Sequence, residues 1–463
     1  MYRIRPVLEL ALVACFALLL CGCPEVQPAV DGAPDAGAPD AGPDLRRPED
    51  ARLPDRYVYD PDHRLFDIGC QTRLVAVAST GKHFNGQSST PSISRNGRVV
   101  AFLSQTTRLV PGGLLQTYAH DLVTSRTELV SQSSGGVPAN AETFVTPWAV
   151  SGDGRYVVFN SQATNLVSQK IIHLAVFLRD RQAGTTTLVA HGLTGISPGC
   201  GKATISDDGR KISFYSGAND LVPGDTNDES DIFVKDLDSG KIVRVSVADD
   251  GSQGNKATHS DNQISGNGQR VVFRSQSQLT TEALPQYHAA IYVRDLVKKR
   301  TYLVSRTEDG KLAWGLQPSI SADGKRVVFH RSKDFNIYLA DVDQGKVTRV
   351  SSTTGGQVVP YPPCWKPAIS GNGRYVSFCS ASSEIVAGDT NGATDIFLVD
   401  LQAGTTVRVS VASDGSQGLG MSSVDSDSSV ADSGRVAFES VFYNLVGPRK
   451  GTLSDVYVRP GCP

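Results

Sequence analysis

The chain has only 2 methionines and 3 tryptophans, no strong excess of either charge, and no apolar run long enough to span a bilayer as a helix. With 45 basic residues against 47 acidic ones, it is not a protein that holds nucleic acid by bulk charge, since displacing counterions from phosphate requires a basic surface. The N-terminal apolar stretch, Leu10 to Leu20, has 11 residues, against the roughly 20 that a spanning helix needs. A Gly-x-Ser-x-Gly elbow is absent, which excludes the peptidase class that joins its fold to an α/β hydrolase, and no Gly-rich phosphate loop leads into a helix. The eight histidines (63, 83, 120, 173, 191, 259, 288, 330) show no His-x-x-x-His pair or other metal spacing. Glycine is plentiful, at 45 of 463 residues, and 40% of the chain is apolar, which describes a turn-rich, strand-rich globular body.

The N-terminus reads as an address. Arg3 and Arg5 precede the short apolar run, as in a secretory signal, and Leu20-Cys21-Gly22-Cys23 follows. This string resembles the bacterial lipobox, in which a small residue precedes a cysteine that is acylated and becomes the new N-terminus; Cys23 is the expected lipidation site. Residues 1–22 are then a signal peptide, and the mature protein is tethered to a membrane by its acyl chains. Pro24 after the cysteine points to the outer membrane. Residues 23–55, with Ala33-Pro34-Asp35-Ala36-Gly37 repeated directly as Ala38-Pro39-Asp40-Ala41-Gly42, cannot build a core and are expected to form a disordered, extended stalk. The folded domain is assigned to residues 56–463.

Within that domain the chain repeats itself. Turns occur at Ser94-Arg95-Asn96-Gly97, Ser151-Gly152-Asp153-Gly154, Ser206-Asp207-Asp208-Gly209, Ser265-Gly266-Asn267-Gly268, Ser321-Ala322-Asp323-Gly324 and Ser370-Gly371-Asn372-Gly373, with a degenerate seventh at Ser433-Gly434. The turn glycines are spaced by 57, 55, 59, 56, 49 and 61 residues. Asn-Gly and Asp-Gly predict two-residue hairpins with both central residues at positive φ. Each turn is followed by an apolar run such as Tyr156-Val157-Val158-Phe159, a loop, a second run such as Asp231-Ile232-Phe233-Val234, and a fourth strand such as Val243-Arg244-Val245. Seven such four-stranded antiparallel units predict an all-β, seven-bladed β-propeller. The seventh unit ends before its fourth strand, and Thr72 to Val77 resembles the missing one, so closure by the N-terminal strand is expected.

Residues 205–254 match residues 369–418 at a constant offset, with 29 of 50 positions identical. Both carry Gly-Asp-Thr-Asn followed by Asp-Ile-Phe, at Gly224 and Asp231 and again at Gly388 and Asp395. In these strings and in its repeat the region from residue 72 onward resembles TolB-like, WD-repeat-like propellers. The resemblance implies a rim that binds a protein partner, without catalysis.

Specific residues extend this reading. Aligned on the third repeat, Cys70 and Cys462 both fall in the turn before the closing strand, where a disulfide would fasten the ring. Cys364 and Cys379 flank the first hairpin of the sixth blade at near-opposite positions, compatible with a second bridge or with two free thiols. Asp225, Asn227 and Asp231, like Asp389, Asn391 and Asp395, offer hard oxygen atoms at spacing 1, 3, 7; a calcium ion and a set of Asx turns are the two readings, and no other cofactor is expected. Trp148, Trp314 and Trp365 each precede an inner strand, at the rim or channel mouth, as sugar platforms or as packing between blades. The function expected is that of a monomeric envelope lipoprotein whose propeller is a protein-interaction scaffold. The alternative is a propeller that binds or degrades polysaccharide, as a hydrolase or lyase built in the channel, with calcium in either role.

Overall fold

The computed structural model describes residues 70–285, 288–420, 427–447 and 453–461, so Cys23, the signal and the stalk lie outside the described residues. Among the described residues there is no helix; the strands form seven four-stranded antiparallel sheets, a seven-bladed β-propeller. Six blades are meanders of four consecutive strands, running from Ser88 to Leu129, Thr143 to Ala190, Gly195 to Arg244, Thr258 to Leu303, Gly315 to Arg349 and Cys364 to Arg408. The seventh combines Ser428–Val430, Val436–Ser440 and Asp455–Arg459 with Arg73–Leu74 from the start of the described chain. Arg73 pairs with Val458 and Leu74 with Tyr457. Val75 N–H continues the ladder to the Val456 carbonyl at 2.8 Å.

The apolar runs pack as their pattern predicts. In every blade an aromatic on the second strand faces one on the third: Phe102 with Tyr118, Phe159 with Phe177, Phe214 with Phe233, Phe273 with Tyr292, Phe329 with Tyr338, Phe378 with Phe397, and Phe438 with Tyr457. All seven pairs stack at 5.5 to 6.0 Å between ring centroids. These rings fill the wedge between neighbouring blades and carry much of the apolar burial there.

The hairpin turns depart from expectation. Only the glycine adopts positive φ, +70° at Gly97 and +82° at Gly154, and the preceding Asn or Asp does not. Side chains hold the turn instead: Ser94 Oγ donates to Asn96 Oδ1 at 2.7 Å, Asn96 Oδ1 accepts from Arg98 N–H at 3.0 Å, and Ser94 Oγ accepts from Val99 N–H at 2.9 Å. The same set recurs on Ser151 and Asp153, and on Ser370 and Asn372. Because Ser and Asx side chains satisfy the backbone, a longer turn replaces the tight primed one. Arginines that follow these turns pair with the aspartates that open the turn between the third and fourth strands, as in Arg98 with Asp121 and Arg374 with Asp400. Both sets of turns therefore lie on one face of the ring.

Candidate functional site in the channel

The inner strands meet around the axis and are laced together in two belts. Near their middle, a side chain of one blade accepts from the backbone of the next: Ser92 from Ala149, Thr204 from Ile264, Gln263 from Ile320, Ser319 from Ile369 and Ser429 from Ile93, at 2.8 to 3.2 Å. At the turn face a second belt visits all seven blades. Asn96 N–H donates to Gly152, Gly152 to Asp207, Asp207 to Gly266, Asn267 to Ala322, Ala322 to Gly371, Asn372 to the Asp432 side chain, and Asp432 to Arg95.

Side chains from this second belt fill the axis. Arg95 of the first blade reaches Asp207 of the third in an ion pair. A β-carbon added at Gly371 in the sixth blade would lie 1.8 Å from Arg95 Nη1, and one at Gly266 in the fourth would lie 2.0 Å from Asp207 Oδ2. Glycine at those two positions is what leaves room for the pair. Burial pushes the Asp207 carboxyl up from its usual range, and the Arg95 charge opposes that shift. The channel is therefore plugged at its turn face.

At the opposite face it opens into a cavity of about 870 Å³, within the span of small-ligand and peptide-segment sites. Its wall is set by a bulge in the inner strands, visible as register shifts between Ser89 and Ser92, Gly201 and Thr204, Leu316 and Ser319, and Trp365 and Ala368. At the bulge Thr90, Lys202, Gln317 and Lys366 take φ of +50° to +52°, a left-handed conformation unusual outside glycine. Each lies seven residues before the turn glycine of its own repeat, and Pro147, Asp261 and Asp427 hold that place in the other three blades. All seven line the cavity, with Trp148, Tyr215 and His173.

The charges here are partly paired. Lys366 Nζ lies 2.9 Å from Asp427 Oδ1, and Arg274 Nε lies 2.9 Å from Asp261 Oδ2. Behind Asp427 is Glu439, whose Oε2 accepts from Thr90 N–H at 3.3 Å and whose own N–H donates to the Asp427 carbonyl at 3.0 Å. Burial and the neighbouring Asp427 charge raise its pKa to about 7. Reading the sequence for motifs missed Lys202, Asp261, Lys366, Asp427 and Glu439. The signal available for the first four was a charged residue seven positions before the turn glycine.

The Asp/Asn loops on the same rim are built around guanidinium. Arg244 Nη1 lies 2.9 Å from Asp225 Oδ1 and 3.3 Å from Asp231 Oδ2, and it donates to Gln253 Oε1 at 2.5 Å. Asn227 Nδ2 donates to Asp231 Oδ2 at 3.1 Å and to the Gly254 carbonyl at 2.9 Å. In the second copy Arg408 takes the same place, 2.8 Å from Asp389 and 3.5 Å from Asp395, with Asn391 bonded to Asp395. A fixed cation from the fourth strand thus lies among the carboxylates for which calcium and Asx turns were the two readings, and Asn227 Oδ1 and Asn391 Oδ1 accept from the N–H groups of Glu229 and Ala393 as Asx turns do.

The tryptophans do not form one platform. Trp148 and Trp365 both pack on the apolar cluster that includes Ala368 and Cys379, whereas Trp314 is 40% exposed and tilts over His288 at 5.3 Å between centroids. Of the three, only Trp148 lines the cavity.

Of the two readings left open for Cys364 and Cys379, a bridge or two free thiols, the structure has the second, and both thiols are buried. Cys364 pairs with Ser380 and Trp365 with Cys379, so the two thiols point to opposite faces of the sheet. Cys200 is likewise buried and free, its thiol pushed up to about 11 by burial. Cys70 is not among the free thiols, and Cys462 lies outside the described residues.

Comparison with known proteins bears on the fold. No family model and no curated protein sequence matches the chain. Among solved structures, a putative TolB from Agrobacterium tumefaciens shares 18% identity over 62% of this chain and 87% of its own, with a TM-score of 0.37. An oligogalacturonate lyase from Vibrio parahaemolyticus shares 11% over 84% and 96%, with a TM-score of 0.49. The β-propeller domain of the Trilobed protease from Pyrococcus furiosus shares 12% over 82% and 94%, with a TM-score of 0.47. The β-propeller fold is shown by the chain's own seven sheets, and the solved structures similar to it include both TolB and enzymes.

Proposed function

We propose that the protein is an envelope lipoprotein, anchored through Cys23 and carried on the stalk of residues 23–55, whose propeller docks a segment of a protein partner in the open mouth of its channel. The observation that carries this reading is the shape of the channel, plugged by Arg95 and Asp207 at the turn face and open at the loop face into a cavity of about 870 Å³. A blind cup with a rigid, doubly laced wall is suited to holding a chain end or loop, since little of its own structure has to be ordered on binding. The role assigned is non-catalytic. A second reading, that the cup binds or degrades polysaccharide, draws support from Trp148 and Tyr215 in the same wall, because aromatic faces stack on sugar rings.

The test is affinity purification of the full-length protein from detergent-solubilised envelope, with partners quantified by mass spectrometry. Ser260→Trp, which fills the mouth, is expected to release the partner, while Val243→Trp, on an exposed outer strand, is expected to retain it. Equal recovery with both variants would place docking outside the cup, and recovery of glycan in place of protein would favour the second reading.

A further inference from the structure

We propose that the cup selects an anionic segment of its protein partner, a carboxylate seated on Lys202. This rests on the docking reading above and names the chemistry of what is docked. Lys202 projects from the bulge of the third blade, lines the cavity and is solvent-exposed. Its backbone is held in the left-handed region at φ +50°, and its carbonyl accepts from Asn262 Nδ2 at 3.1 Å, so the side chain springs from a fixed point.

The other charges of the wall are matched. Asp427 is neutralised by Lys366 and Asp261 by Arg274, each at 2.9 Å. Lys202 forms no ion pair among the described residues. Of the four side chains of formal charge that line the cavity, Lys366, Asp261 and Asp427 are thus paired, and Lys202 is the one left to receive a ligand's charge.

The remaining titratable groups do not cancel that charge. His173 lines the cavity and brings no negative charge, and burial holds the pKa of His259, beside Arg274 and Asp261, below its usual value. Glu439 is buried in the seventh blade and is not part of the cavity lining, whereas the bulge neighbours of Lys202 are Pro147 and Asp261. An incoming carboxylate meets an ammonium that has lost no partner to receive it, and the contact it makes is a charge-assisted one. A basic segment would meet the same ammonium as a repulsion. Trp148 and Tyr215 in the same wall offer apolar surface to the residues flanking the acid.

The experiment is calorimetric titration of the full chain in detergent with three probes of equal length and charge: an alternating Asp-Ala peptide, an alternating Lys-Ala peptide and an oligouronide. The acidic peptide is expected to bind, to weaken about tenfold or more in Lys202→Gln, to recover in Lys202→Arg, and to weaken with added salt. Unchanged melting temperatures of both variants would certify their folding. Equal binding of the Lys-Ala peptide, or no effect of Lys202→Gln, overturns the proposal. If the Lys-Ala peptide is also blocked by Ser260→Trp, the docking reading survives that loss. Binding of the oligouronide alone overturns both.

Discussion

Replacing Arg244 with leucine would isolate the arginine clamp. In the folded protein the Asp225 and Asp231 side chains keep 2% and 1% of their surface, and Arg244 keeps 9%. Removing one member of a buried ion pair costs about 3–5 kcal/mol, because the surviving charge stays desolvated. The clamp lies in rim loops that relax toward water, so the lower figure, about 3 kcal/mol, is expected. At about 2.1 cal/mol/K per residue, a body of roughly 400 residues unfolds with about 0.8 kcal/mol/K, so the melting temperature falls by about 4 °C. Scanning calorimetry would compare the wild type, Arg244→Leu, and the triple variant that adds Asp225→Asn and Asp231→Asn. The triple variant should recover at least half of the loss, since no buried charge is then left unpaired. Arg408→Leu should repeat the effect in the sixth blade, and the two losses should add, because the clamps share no partner. A fall below about 1 °C, or stabilisation of the wild type by millimolar calcium, would refute the clamp.

Three further outcomes follow from the same structure. Glu439 is raised from its ordinary 4.5 to about 7, so between those values the unfolded chain has lost a proton that the folded protein keeps, and stability falls as pH rises through that window, by up to about 3 kcal/mol. Thermal melts should show Glu439→Gln matching the wild type near pH 4 and exceeding it at pH 8; an unchanged pH slope would sink this assignment. Non-reducing peptide mapping should find Cys70 joined to Cys462 and should alkylate Cys200, Cys364 and Cys379 on unfolding, and a bridge between Cys364 and Cys379 would contradict the sheet register. Loss of the Cys70 bridge is expected to cost about 4–5 kcal/mol in the chain-entropy model. Cys23→Ser should move the protein from the membrane fraction to the soluble one, and membrane retention would count against lipidation.

The blade count was legible because the signal is local and repeated: Ser-x-Asx-Gly turns six times, then a strand with an aromatic at a constant place. The turn geometry was not, since Asn-Gly alone does not report that Ser94 Oγ and Asn96 Oδ1 bond the backbone and relieve the need for a second positive φ. The aspartates of the rim loops were visible as a ligand-like spacing. Their partner Arg244 stands 13 residues beyond Asp231, on another strand, and a local window does not include it. Cys364 and Cys379 looked opposed across a hairpin, but a one-residue offset in pairing puts them on opposite faces. The cup was hidden for a different reason. Its seven wall positions carry Thr90, Pro147, Lys202, Asp261, Gln317, Lys366 and Asp427, so no one residue type marks the position in every blade. The same holds at the plug, where Arg95 finds Asp207 at a separation of 112 residues.

The most direct measurement of the central claim is photocrosslinking in the cell from a single unnatural residue, placed either at Gln162 in the cup wall or at Lys346 in an exposed turn on the plugged face. The docking account predicts a discrete protein adduct from position 162 and none from position 346. Adducts of equal yield from both positions, or from position 346 alone, would contradict it.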